Sequence, residues 1–220
     1  MQNGSGFPVA PFDPACPFCQ RSEIAHILRE TPRFLLAADH APLVEGHLLI
    51  IPKAHYTCYG DVPAALDDEL IDLKEQVRRF FTRFYDPPVF WEHGIFRQTV
   101  FHAHLHCFPW GDIAYNLDGG LHDRVITSQE DIRRWHREHG RYFYLEDPTI
   151  ALIFQPELER YSRIIRSVFL RGMTRRDVKP ELRPPEQRIQ DGVPLIAALI
   201  EKWKQFEQKG ANYANESGSR

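Results

Sequence analysis

The run Gln98-Thr99-Val100-Phe101-His102-Ala103-His104-Leu105-His106-Cys107-Phe108-Pro109 places three histidines at i, i+2 and i+4. Apolar, β-favouring residues stand between them, which is the alternation of a strand. On a strand, alternate side chains share a face and lie roughly 6.6–7 Å apart. The pattern therefore predicts His102, His104 and His106 in a row on one face. Phe101, Ala103, Leu105 and Cys107 turn to the other, toward the core. One histidine on an apolar strand is ordinarily a packed one. Three in a row are hard to explain by packing and point to chemistry.

Working outward, Val89-Phe90-Trp91 predicts the strand before the row, and Gly94 to Arg97 connects the two. Upstream, Leu66, Leu70, Leu73, Val77, Phe80 and Phe84 recur in steps of three and four, one face of a long amphipathic helix. Asp61 is its expected cap, with Val62-Pro63 at its start and Asp86-Pro87-Pro88 past its end. Arg33 to Ala38 and His47 to Ile51 read as strands joined through the Glu45-Gly46 turn signal, and Glu23 to Arg29 as a short helical segment. Beyond about residue 120 the character changes. Thr127-Ser128-Gln129-Glu130 fits a capping box opening a helix toward Gly140. Tyr142 to Glu146 and Thr149 to Phe154 predict a hairpin around Asp147-Pro148. A helix over Glu157 to Met173, a Pro-rich loop over 177–191 and a helix over Val193 to Phe206 complete the pass. The expected organisation is a flexible N-terminus over 1–13, a catalytic domain over 14–120, an extension packed on it over 121–208, and a disordered tail over 209–220.

Hydrophobic content of 43% and charged content of 26% are ordinary for a globular protein. A formal net charge of −3 gives no general case for nucleic-acid or membrane partners. No run approaches the ~18 apolar residues of a membrane span. Met1 to Pro14 has no basic region followed by an apolar core, so the expectation is a cytoplasmic protein. Four cysteines do not make a disulfide scaffold, and two of them form Cys16-Pro17-Phe18-Cys19.

That Cys-x-x-Cys has the spacing of a zinc knuckle. Two histidines would close a Cys₂His₂ tetrahedron, and His55 and His102 are the candidates. A redox pair and two core cysteines are the alternatives, the first lacking a following βαβ pattern. A closed four-ligand site is structural, because it has no open position for catalysis. His104 and His106 then remain for chemistry. A neutral imidazole is a good nucleophile near neutral pH, and a neighbouring imidazole can contact phosphoryl oxygens. Gln98 and Thr99, at the entry to the strand, offer an amide and a hydroxyl to phosphate, though taken alone they read first as polar loop residues. A competing reading uses the whole row to hold a catalytic zinc with an open water position, as a metallohydrolase.

His102-Ala103-His104-Leu105-His106-Cys107-Phe108 resembles the His-x-His-x-His-φ-φ motif of the histidine-triad (HIT) proteins, φ being apolar. Gly46-His47-Leu48-Leu49-Ile50-Ile51-Pro52-Lys53-Ala54-His55 is similar to that family's Gly-His…Ile-Pro-Lys-x-His segment. Cys16-Pro17-Phe18-Cys19 is similar to the N-terminal knuckle of its zinc-containing members. The resemblance implies an α+β, HIT-like fold, an antiparallel sheet of about five strands with packed helices; the mixed helical and hairpin C-terminal extension falls outside it. It implies nucleotidyl transfer to the middle histidine of the row, followed by release to water or another acceptor. The substrates it implies are nucleotide conjugates, either dinucleotide polyphosphates or nucleoside phosphoramidates.

By the same resemblance His104 is the nucleophile and His106 the phosphate contact. Asp39 binds the ribose hydroxyls, and Gln98 and Thr99 meet the phosphates. Cys16, Cys19, His55 and His102 hold a structural zinc, and His47 stands near the site. The family is often dimeric, and a homodimer is an expectation that the extension could create or block. Two departures stand out. Phosphoramidases of the family approach the Gln-Ser/Thr pair through an Asn-containing, Gly-rich segment, whereas here Trp91-Glu92-His93-Gly94-Ile95-Phe96-Arg97 stands, with Glu92 and His93 either replacing that contact or only shaping the loop. The transferase branch carries Gln at the third position, and His106 leans the chain toward the hydrolases. Arg160, Arg163, Arg166, Arg171, Arg175 and Arg176 make the extension locally basic, either a clamp on distal phosphates or a solvated helix face. A nucleotide-binding protein without turnover is the remaining alternative.

Overall fold

The computed structural model describes residues 11–111, 124–179 and 181–217. Two unbroken apolar runs, β2 (Phe34–Ala38) and β3 (Leu48–Pro52), are buried along their whole length. Such runs suit strands that are covered on both faces. They pair antiparallel with each other, and β1 (Ile27–Glu30) pairs with β2. The histidine strand, β5 (Leu105–Phe108), pairs with β3 on one side and with β4 (Val89–Glu92) on the other. These strands, in the order β1-β2-β3-β5-β4, are the antiparallel sheet that the resemblance implies.

The sheet continues into the extension. The expected hairpin is β7 (Phe143–Glu146) and β8 (Ala151–Phe154), turned at Asp147, whose Oδ1 accepts from the Thr149 and Ile150 N–H groups. β7 pairs with the edge of β4, β8 with β7, and β6 (Arg124–Val125) with β8. The result is one eight-stranded sheet, β1-β2-β3-β5-β4-β7-β8-β6. β7 thereby satisfies backbone groups that β4 would otherwise leave at an open edge.

Alternation along each strand separates two faces. One carries Leu36, Ile50, Phe90, Leu105 and Tyr144 beneath α1 (Asp67–Phe84), α2 (Gln129–His139) and the Ile196-Leu199-Trp203 stripe of α4 (Pro185–Ser217). α1 buries Leu70, Leu73, Val77, Phe80 and Phe81 there. Each such side chain stabilises the fold by roughly 1.5–3 kcal/mol. The other face carries Trp91, Phe108, Phe143 and Phe154 beneath α3 (Leu158–Arg175). Further along the same face, Leu35, Leu49 and Ile51 lie beneath Phe18 and Ile24 of the N-terminal knuckle. His106 is in register with Leu49 of one group and Trp91 of the other. The histidines therefore occupy the interval between the two apolar covers.

Several local expectations change. The segment 23–29 is not helical: a one-turn 3₁₀ helix at Arg21–Glu23 precedes β1. Ile27 and Leu28 pack on opposite faces of the sheet, which a strand permits. Asp61 does not cap α1, because its carboxylate is engaged by Thr57 and His136. The helix proper begins at Asp67, where Asp67, Asp68 and Glu69 meet the positive end of its dipole. The box at α2 uses Asp131, not Glu130: Asp131 Oδ2 accepts from the Ser128 and Thr127 N–H groups at 3.0 Å. α4 begins at Pro185, within the segment expected as a loop, and runs through Pro194 to Ser217. Proline suits the first turn. Residues 209–217 of the expected disordered tail are helical, since extending a formed helix adds a hydrogen bond without a new nucleus. The expected boundary at 120/121 lies outside the described residues, as do 1–10 and 218–220. No helix among the described residues is long and apolar enough to cross a membrane.

Candidate active site and metal centre

The histidine strand is shorter than its sequence pattern. Only Leu105–Phe108 joins the ladder, and Phe101, expected in the core, is 57% exposed. Over 102–104 the backbone makes other bonds. Ala103 N–H donates to Tyr56 O at 2.6 Å, and the Gln98 amide donates to His102 O at 2.8 Å. His104 Nδ1 lies 2.7 Å from that same carbonyl. Side chains have taken over acceptors that a strand would have used.

His102 turns toward the knuckle. Its Nδ1 is 3.4 Å from Cys16 Sγ and 3.6 Å from Cys19 Sγ, and His55 Nδ1 is 3.3 Å from Cys19 Sγ. Zinc bound by two sulfurs and two nitrogens has ligand–ligand edges of roughly 3.3–3.8 Å. One ligand atom from each of the four residues lies within 4.8 Å of all the others, so this group could hold a metal. His102 Nε2 is 2.7 Å from Pro52 O. A carbonyl can only accept, so the proton sits on Nε2 and Nδ1 keeps its lone pair for a metal. Burial pushes His102 down to about 4, which keeps the ring neutral.

His104 has the opposite tautomer. Its Nδ1–H donates to His102 O, so the lone pair is on Nε2, which has no partner among the described residues. Burial lowers its pKa, so the ring is neutral near pH 7. Phe18 of the knuckle packs edge-on against it with centroids 5.3 Å apart.

A relay of imidazoles orients His106. Leu43 N–H donates to His47 Nδ1 at 3.4 Å, so His47 carries its proton on Nε2. That Nε2 is 2.9 Å from His106 Nδ1 and 3.5 Å from Asp39 Oδ2. His106 Nδ1 is then the acceptor, and its Nε2–H is a donor free for a ligand. Burial pushes His47 down to about 4 and His106 well below its ordinary value, so both rings are neutral. Burial opposes ionisation of Asp39, but His47, the Ala41 N–H and Arg188 outweigh it and hold the carboxyl below its usual range.

The remaining candidates separate. Gln98 is buried, with its amide spent on Ile95 N, Thr57 O and His102 O, whereas Thr99 is exposed. Glu92 points to the opposite face of the sheet. It accepts from Tyr59 N–H and Tyr142 O–H, both at 2.7 Å, and burial raises it to about 7. His93 stays with the site, its ring 5.9 Å from that of His106. Four arginines of the basic stretch meet protein groups: Arg160 covers the Phe154 ring, Arg163 pairs with Glu159, and Arg175 and Arg176 pair with Asp86. Arg188 of α4 reaches the site loop instead, donating to Ala41 O. Neither Arg188 nor Tyr161 of α3 carries a local sequence signal, since only the fold brings them near the histidines. No metal-ligating group among the described residues contains two histidines of the row. The row as a single metal site therefore finds no geometric support.

The HIT domain family model matches residues 20–112. The chain is 36% identical over 108 residues to adenosine 5'-monophosphoramidase HNT1 of Saccharomyces cerevisiae (strain ATCC 204508 / S288c), spanning 47% of this chain and 67% of that one. The chain belongs to the HIT family. Among solved structures, a Zn-bound histidine triad family protein from Mycobacterium smegmatis is 27% identical, with a TM-score of 0.38 over 56% of this chain and 91% of its own. A HIT-like protein from Bartonella henselae, described as involved in cell-cycle regulation, is 21% identical with a TM-score of 0.40, over 58% and 96% respectively. The HIT match ends before β7, so the part of the sheet that continues beyond β4 lies outside it.

Proposed function

We propose that this HIT protein is a nucleotide hydrolase or nucleotidyltransferase acting at the α-phosphate of nucleotide conjugates. The conjugates are dinucleotide polyphosphates or nucleoside phosphoramidates, the latter the class named for the yeast relative. The observation that carries the reading is the pair of opposed tautomers, with a lone pair on His104 Nε2 beside a donor on His106 Nε2.

In this reading His104 Nε2 attacks the α-phosphorus. The bond from phosphorus to the leaving group breaks, and that group departs with the bonding electrons, an amine taking up a proton from solvent. The nucleotidylated ring is cationic, and its Nδ1–H bond to His102 O becomes charge-assisted. Water then attacks the same phosphorus. The phosphorus–His104 bond breaks, the nucleotide leaves as its monophosphate, one proton goes to solvent, and the neutral ring returns. His106 donates to a non-bridging oxygen throughout. Asp39 accepts from ribose hydroxyls and Thr99 donates to phosphate. Gln98 braces the 95–102 segment instead of touching the ligand.

Zinc at Cys16, Cys19, His55 and His102 would supply a structural tie. It would fix the knuckle and the His102 carbonyl on which His104 depends. The chain's own contribution is the Pro52 carbonyl that sets the His102 tautomer. The test is turnover of adenosine phosphoramidate and a diadenosine polyphosphate. The reading expects release of adenosine monophosphate from at least one of them, abolished in His104→Ala. Undiminished turnover in His104→Ala contradicts it.

A further inference from the structure

The loop from His93 to Gln98 adopts a backbone shape that most residues avoid. Gly94, Ile95 and Arg97 have φ of +52°, +74° and +54°. For a β-branched residue such as Ile95 this is a strained state, and it persists only where the surroundings impose it. Here they include the extension as well as Gln98, whose Oε1 accepts from Ile95 N–H. Tyr142 N–H donates to Gly94 O at 3.2 Å, and Ile95 forms an isolated bridge with Tyr142. A Cβ on Gly94 would lie 2.5 Å from the Tyr142 ring and carbonyl oxygen, so only glycine fits there.

α3 adds a second hold. Tyr161 Oη is 3.3 Å from His93 Nδ1. The Tyr161 ring packs on the His93, Phe96 and Trp91 rings, with centroids 5.8, 5.3 and 6.3 Å away. His93 in turn stands edge-on to His106, interplanar angle 78°. His106 thus meets three imidazoles, His47, His93 and His104, and stacks on Phe108. His47 fixes its Nδ1, and His93 limits the rotation of its ring. His47 is held by the HIT domain's own backbone, whereas His93 is held by the Phe96 backbone of its own loop and, from outside the HIT match that ends at residue 112, by Tyr161. Burial raises the Tyr161 phenol to about 12, so it stays protonated over the working pH range.

We propose that Tyr161, on the C-terminal extension, is a positioning residue of the histidine site that orients His93 and, through it, the ring of His106. The extension is then a working part of the site, and the catalytic unit is larger than the HIT match. This rests on the nucleotidyl-transfer reading for its kinetic consequence alone.

The test uses the full chain. Tyr161→Phe keeps the ring contacts and removes only the hydroxyl. It is expected to lower kcat about three- to tenfold, the range of one hydrogen bond, with KM within about twofold and only a small drop in the unfolding midpoint. Tyr161→Phe combined with His93→Ala is expected to be no slower than His93→Ala alone, because the hydroxyl acts through that ring. Wild-type kinetics in Tyr161→Phe overturn the proposal, and so does the same loss persisting in the His93→Ala background. A readout without turnover separates this from the proposed activity: the ¹⁵N shifts of the His93 and His106 rings. Both are expected to move in Tyr161→Phe, and an unmoved His106 overturns the proposal. A wild-type protein that turns over no nucleotide conjugate counts against the transfer reading, and the ring shifts then decide this one.

Discussion

His102 and His104 stand two residues apart in one motif, yet their imidazoles are wired in opposite senses. His102 gives its Nε2 proton to Pro52 O and turns a bare Nδ1 to the knuckle sulfurs. His104 gives its Nδ1 proton to His102 O and leaves a bare Nε2 facing the site. The ring is the same in both, and the carbonyl each one meets selects which nitrogen is available. In the proposed reading, the division of labour between metal holding and chemistry is made by backbone acceptors, and the first histidine supplies the acceptor for the second.

The sharpest way to break this contrast is at His104. His104→Ala removes the proposed nucleophile, and a loss of about a thousandfold or more in kcat is expected, in line with other nucleophile deletions. Steady-state rates on the better conjugate check it. Next comes the knuckle. Cys19→Ser is expected to lose bound metal, by elemental analysis, and about 2–5 kcal/mol of stability in denaturant unfolding. Activity should fall with it, because the His102 carbonyl then loses its anchor. Retention of full metal content contradicts the ligand set.

A smaller effect is expected at His47. His47→Leu takes the N–H from His106 Nδ1 and should lower kcat about tenfold while substrate affinity changes little, which separate kcat and KM values check. The same variant tests pH dependence. Burial holds His47 near 4 in the fold, against an ordinary 6.5. The unfolded chain therefore takes up a proton first as pH falls, and stability is lost from about 6.5 down toward 4. In His47→Leu that slope should flatten by up to about 1.4 kcal/mol per pH unit, read from unfolding at several pH values. An unchanged slope would show that His47 titrates freely.

Much of this arrangement was legible in the chain. The buried runs at Phe34–Ala38 and Leu48–Pro52 and the apolar face of α1 follow from periodicity, because burial on one or two faces writes itself into the spacing. The family motifs drew Cys16, Cys19, His55 and His102 together, and the structure brings those residues to one place. The limits of the reading are also physical. Alternation cannot tell a strand from a segment whose carbonyls are claimed by side chains, so 102–104 looked like a continuation of β5. Glu92 and His93 are adjacent in sequence but point to opposite faces, which only the sheet register decides. Pairing of β7 with β4 is a long-range event, so neither Tyr161 nor Arg188 announces its place near the histidines.

The central claim is that the row divides between His102 and His104. It is tested most directly by trapping the intermediate from a labelled nucleotide conjugate under alkaline quench and mapping it by mass spectrometry and ³¹P–¹⁵N NMR. The account predicts one nucleotidyl group, on Nε2 of His104, with His102 unmodified. An adduct on His102 or His106, or on Nδ1 of His104, would contradict it.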